Sequence, residues 1–144
     1  MQPKHKNDFF VSYRHSEPDK SWVRKTLFPT LEARGLSGMI DYRDFRLGAP
    51  LLSEMVRAVE ESRFTLAIIT PLYVQSNFTE LENIMAKHLG LEKSETRLIG
   101  IIRDENTELD QVRLDIRASL MLDMSDDDEF EVLIDRLVDA IKAP

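Results

Sequence analysis

Phe64-Thr65-Leu66-Ala67-Ile68-Ile69-Thr70 is the stretch that decides the fold. It is a nearly continuous apolar run with no polar–apolar alternation, as in a strand buried on both faces of a parallel sheet. Such a strand needs helices above and below it, and the flanking sequence supplies them. Behind Pro50, whose missing N–H costs nothing in a first turn, Leu51, Leu52, Met55, Val56 and Val59 form an apolar helical stripe. On the other side, residues 78–89 read as a third helix.

Further out, the same alternation repeats. Phe9-Phe10-Val11 forms a short strand ending at Ser12-Tyr13-Arg14, and Val23, Leu27 and Leu31 mark a helix over residues 18–34. Ser16 and Asp19 read as its capping box, Gly35 as its stop, and Pro29 as the cause of a kink. A strand over residues 36–40 leads through Asp41 into a polar, irregular stretch, 42–49. Leu98–Ile102 is another strand, Leu109, Val112 and Ile116 a weaker helix, and residues 120–124 a last strand. The final helix carries Phe130, Leu133, Ile134, Leu137, Val138 and Ile141, opened by Ser125 and three aspartates that suit a helix N-terminus. Strict βα alternation predicts an α/β fold: a flavodoxin-like, doubly wound, five-stranded parallel sheet of order 2-1-3-4-5 with helices on both faces. One domain is expected over residues 1–144, its core from about 7 to 141, with room for further domains beyond Pro144.

Composition narrows the function. Nineteen basic against 26 acidic residues leave a net charge of −7, without the basic footprint of a nucleic-acid binder. The absence of cysteine removes disulfides, thiol nucleophiles and Cys-ligated metals, and suits a cytoplasmic protein. Residues 1–7 are polar and lack the apolar segment of a signal peptide, and no run approaches the ~20 apolar residues of a membrane span. The glycines form neither a dinucleotide fingerprint nor a P-loop. His5, His15 and His88 lack metal-ligand spacing, so no metal site is expected.

Ligands of such sheets sit beyond the carboxyl ends of the strands, at the switch between strands 1 and 3. That places attention on Arg14 and His15, on Asp41 onward, and on residues 70–76. On a wheel of the third helix, Glu82 lies about 40° from Phe78, at the rim of the apolar face, and Glu80 about 200° round, pointing away. Glu80 also stands three residues after Asn77, where it suits a cap; Glu82 has no such duty. A carboxylate on that rim beside a crevice suits acid–base or cation-stabilising work, the alternative being an ordinary boundary glutamate. The loop after strand 2, with Tyr42, Arg43, Asp44, Phe45 and Arg46, carries more chemistry than turning a corner requires, unless Arg43 and Asp44 only pair locally.

These residues carry a resemblance. Phe9-Phe10-Val11-Ser12-Tyr13-Arg14 resembles the first signature box of TIR (Toll/interleukin-1 receptor) domains. Ile40-Asp41 followed by Arg43-Asp44-Phe45-Arg46-Leu47-Gly48 resembles the second box and its BB loop. Val59-Glu60-Glu61-Ser62-Arg63, the strand, and Thr70-Pro71-Leu72-Tyr73-Val74-Gln75-Ser76 are similar to the family's third strand and the run into its next helix. Some TIR domains are adaptors; others cleave the nicotinamide–ribose bond of NAD+, using a glutamate in a Trp-x-x-x-Glu pattern after a serine. Here Ser76 is that serine, Phe78 stands where the tryptophan would, and Glu82 is the glutamate. Leu47-Gly48 replaces the Pro-Gly of many receptor-type loops.

The resemblance implies an NAD+ nucleosidase of defence signalling that is activated by self-association and yields nicotinamide with ADP-ribose or a cyclic isomer. Glu82 would be catalytic, and Arg14, Asp41, Phe45, Ser76 and Phe78 would bind substrate. Tyr42, Arg43, Asp44, Arg46 and Gly48 would form the loop interface with other TIR domains in open assemblies. NAD+ would be substrate, with no separate cofactor and no metal, nucleic-acid or membrane partner. The alternatives are a non-catalytic TIR–TIR interaction module and a phospho-acceptor domain, which would want an acidic pair where the chain reads Arg14-His15.

Overall fold

The computed structural model describes residues 5–75, 79–90, 97–107 and 121–143. Five parallel strands, β1 (Asn7–Ser12), β2 (Gly38–Met39), β3 (Ser62–Ile69), β4 (Leu98–Ile102) and β5 (Leu122–Asp123), lie in the order β2-β1-β3-β4-β5. This is the predicted sheet. Register places Phe9 between Gly38 and Phe64, and Ile69 beside Ile102.

Strand alternation divides the core in two. Phe9, Val11, Leu66 and Ile68 face a layer made by the first helical run, residues 19–33, and by α7 (Phe130–Lys142). Phe10, Ala67 and Ile69 face α4 (Leu51–Glu61) and α6 (Thr79–Leu89). Because β3 feeds both layers, its sequence shows no alternation.

The first helical run is α1 (Asp19–Trp22), a π turn (Val23–Leu27) and α2 (Phe28–Ala33). Pro29 offers no N–H to the carbonyl four residues back, and its ring crowds that carbonyl. The ladder widens instead, and the Phe28 N–H reaches the Val23 carbonyl. The predicted kink is therefore a bulge one turn earlier. The expected Ser16–Asp19 capping box does not form: Glu17 accepts from the Ser21 N–H (2.8 Å) and the Ser21 hydroxyl, while Ser16 gives only its carbonyl, to Lys20. The run ends at Gly35 as expected.

Strand β2 is shorter than the predicted 36–40. Leu36 N–H is taken back to the Leu31 carbonyl, and the Ser37 N–H goes to the Asp8 side chain. The predicted irregular stretch opens instead with a short helix, α3 (Asp41–Asp44), because Asp44 reaches back to accept the Ile40 N–H at 2.9 Å. In α4, Val59 is buried as expected and Met55 and Val56 are half-buried, but Leu51 and Leu52 are exposed, and Glu54 and Ala58, outside the stripe, are buried. Arg97 closes the far end of α4, donating to the carbonyls of Val59, Ser62 and Arg63.

A further short helix, α5 (Pro71–Tyr73), follows β3, its first turn capped by the Thr70 hydroxyl. Strand β5 is shorter than the predicted 120–124, and α7 is preceded by a 3-10 turn (Asp127–Glu129) capped by Asp126. The weaker helix around Leu109, Val112 and Ile116 lies outside the described residues. Among the described residues no helix is long and apolar enough to cross a membrane.

Candidate active site

A cleft of about 400 Å³ opens at the carboxyl ends of β1 and β2, beside the switch between β1 and β3. Its β1 wall runs from Phe10 to Ser16; Asp41 and Phe45 form the second wall, Leu51 and Met55 of α4 the floor, and Glu80 of α6 a rim. The volume lies in the range of small-molecule sites.

Arg14, Asp41 and Phe45, three of the predicted substrate-binding residues, come together here. Ser76 and Phe78 lie outside the described residues. Asp41 is the best-held group. Its Oδ1 accepts the Tyr13 hydroxyl at 2.8 Å and its Oδ2 meets His15 Nε2 at 2.7 Å. Arg24 Nε in turn donates to the Tyr13 oxygen at 2.7 Å. Burial opposes the charge of Asp41, but the His15 and Tyr13 contacts prevail and hold its carboxyl below the usual range. Burial pushes the Tyr13 phenol well above its ordinary value, so it remains a donor.

Glu82 sits where the wheel placed it, between the buried Leu81, Ile84 and Met85 of α6 and the surface, with its Oε2 buried. Its charge reaches Tyr73, whose phenol is raised chiefly by burial and further by Glu82. Tyr73 is fully buried and shares a 2.8 Å hydrogen bond with Ser12 on the cleft wall. Glu82 is not among the described residues that line the cleft; its influence falls on Tyr73, which bonds Ser12 on the cleft wall, whereas Glu80 borders the cleft directly. The expectation that Glu80 points away is corrected in part: it is exposed, as the wheel required, but the cleft extends to that face.

The loop is less uniformly outward than its sequence suggested. Arg43 is tied to Asp44 and Glu32 at 3.0 Å and lies over the Phe28 ring. These partners raise its pKa further, with Asp44 the largest cause. Phe45 is half-buried and stacks on Phe10. Tyr42 is exposed beneath the Arg24 guanidinium, 4.5 Å from its ring centroid. Arg46, Leu47 and Gly48 face outward, and Gly48 has φ +84° with open space around it. Glu54 accepts the Arg46 backbone N–H, and Arg57 bonds both Glu54 (2.9 Å) and the Asp44 carbonyl (3.1 Å), so α4 holds the loop's base from beneath.

Sequence reasoning missed the roles of Tyr13, Tyr73, Arg24 and Glu54. Tyr13 and Tyr73 fall inside signature segments, which was the available signal. The Glu54–Arg57 spacing of i,i+3 was visible too, but not its burial. Among the described residues no three His, Asp or Glu side chains stand close enough to hold a metal ion.

A family model described as TIR domain matches residues 9–138. Toll-like receptor 6 of Bos taurus is 30% identical over 95 residues, covering 66% of this chain and 12% of the receptor, so the chain spans about an eighth of that relative. Among solved structures, the TIR domain of the Toll-related receptor TRR-2 from Hydra magnipapillata is 22% identical, with TM-score 0.75, over 96% of this chain and 100% of that one. A metazoan TIR-STING receptor from C. gigas is 21% identical, with TM-score 0.74, over 100% of this chain and 43% of that one. The match takes in all five strands but the first two residues of β1, and the chain belongs to the TIR domain family.

Proposed function

We propose that this TIR domain cleaves the nicotinamide–ribose bond of NAD+, releasing nicotinamide and ADP-ribose or a cyclic isomer. One observation carries the reading: a ligand-sized cleft at the topological switch point has on its wall Ser12, bonded to Tyr73, on which a carboxylate with a buried oxygen, Glu82, acts. Departure of nicotinamide leaves positive charge on the ribose, an oxocarbenium-like state as in glycoside cleavage. A fixed carboxylate stabilises that charge more than it stabilises the ground state, because the charge develops only as the bond breaks. Arg14 faces a phosphate, Phe45 and its loop close over the dinucleotide above a fixed Asp41, and Phe78 and Ser76 keep the roles implied by the resemblance. NAD+ is the substrate, and the chemistry asks for no separate cofactor. The setting we infer is cytoplasmic defence signalling.

A second reading, a TIR–TIR interaction module without catalysis, is favoured by the exposed Leu47, Leu51 and Leu52 beside the loop. Incubating concentrated protein with NAD+ and chromatographing the products separates the two. The catalytic reading expects free nicotinamide in proportion to protein and time; self-association with NAD+ left intact supports the module.

A further inference from the structure

His15 is held more firmly than a residue at a cleft mouth requires. Its Nε2 meets Asp41 Oδ2 at 2.7 Å, and its ring packs on Tyr13 with centroids 4.7 Å apart. Asp41 cannot swing away, because its other oxygen is taken by the Tyr13 hydroxyl, which Arg24 holds in place. With the Nε2 proton aimed at a carboxylate, the neutral imidazole carries its lone pair on Nδ1. The side chain lines the cleft and is about half exposed, so a proton taken there passes readily to solvent.

We propose that His15 is the general base that activates the attacking water, with Asp41 as its positioning residue; this rests on the NAD+ reading above. Glu82 stabilises the ribosyl cation but leaves the nucleophile weak. In the step proposed, the C1′–nitrogen bond breaks and its electron pair stays on the ring nitrogen of neutral nicotinamide. The water oxygen bonds to C1′, its proton goes to His15 Nδ1, and from there to solvent. The sum is NAD+ and water giving nicotinamide, ADP-ribose and one proton. No oxidant or reductant enters. Asp41 then faces the imidazolium and stabilises it, and the hydrogen bonds that keep the Asp41 carboxyl ionised serve the same end.

A base is needed only for a nucleophile that must lose a proton. A neutral pyridine attacks the same cation with its own lone pair, so exchange of nicotinamide for another pyridine bypasses His15. A structural role for His15 would affect both reactions alike. Wild type, His15→Gln and Asp41→Asn are therefore incubated with NAD+ and 3-acetylpyridine, and ADP-ribose and the exchanged dinucleotide are quantified together. His15→Gln is expected to lower hydrolysis about 100-fold while lowering exchange far less, the size usual for loss of a general base. Asp41→Asn should shift the ratio in the same direction, since an amide that donates to Nε2 moves the lone pair off Nδ1. Equal loss of both reactions, or loss of neither, overturns the role of His15 and leaves that of Glu82 standing. A wild-type protein inert toward both acceptors overturns the NAD+ reading and this inference with it.

Discussion

Two glycines and a tyrosine show how single residues set the site. A Cβ at Gly38 would overlap the rings of Phe9 and Phe28, whereas one at Gly48 would meet nothing within 4 Å and face only the strain of φ +84°. Gly38→Ala should therefore cost about 1–3 kcal/mol through overpacking. Gly48→Ala should cost about 1 kcal/mol through its backbone alone. Denaturant midpoints of the two variants check the order, and a costlier Gly48→Ala would contradict it. Tyr73 joins α5 to the cleft wall through Ser12. Tyr73→Phe keeps the packing and removes one buried hydrogen bond, so a cycle with Ser12→Ala should show coupling of about 1 kcal/mol. A coupling near zero would detach Tyr73 from the Ser12 wall.

At the scale of elements, the base of the loop is fastened by α4. Arg57 beside Glu54, with the Arg46 N–H, lowers the Glu54 carboxyl to about 2 from its ordinary 4.5. Because the folded value is the lower one, this contribution is complete above about pH 4.5 and is lost as pH falls toward about 2. Glu54→Gln should accordingly flatten the acid limb of the Tm–pH curve in that window; curves that stay parallel would show that the clamp adds nothing. Such a clamp is hard to see in sequence, because it depends on where a loop eight residues away comes to rest. The reverse holds for β1, β3 and β4, whose apolar runs need no partner to be recognised. Helix α3 escaped notice because a single turn has no periodicity to read, and its cap comes from Asp44 within it. Leu51 and Leu52 share the stripe of Val59, but in the first turn that face meets the cleft and solvent rather than the core. The rim position of Glu82 is legible because α6 is long enough for a wheel; the reach of the cleft to Glu80 is not, since no helical period records it.

The whole molecule carries a net charge of −7 and presents an outward loop tip with Arg46 and a fully exposed Leu47. A basic and apolar tip on an acidic body suits a contact with another copy, and a contact between unlike surfaces builds open assemblies. If that contact completes the site, activity per molecule should rise steeply with protein concentration, and Arg46→Glu should flatten the rise; constant specific activity from nanomolar to high micromolar protein would leave a self-contained monomer. Whether assembled or single, the molecule's proposed chemistry rests on one carboxylate. The most direct measurement is nicotinamide release from NAD+ by concentrated wild type, Glu82→Gln and Glu80→Gln, with Tm taken on the same samples. The account predicts that Glu82→Gln loses about 100-fold or more of the activity at an unchanged Tm, the size expected when transition-state charge loses its counter-charge, while Glu80→Gln keeps most of it. Full activity in the Glu82 variant, or equal loss in both, would contradict it.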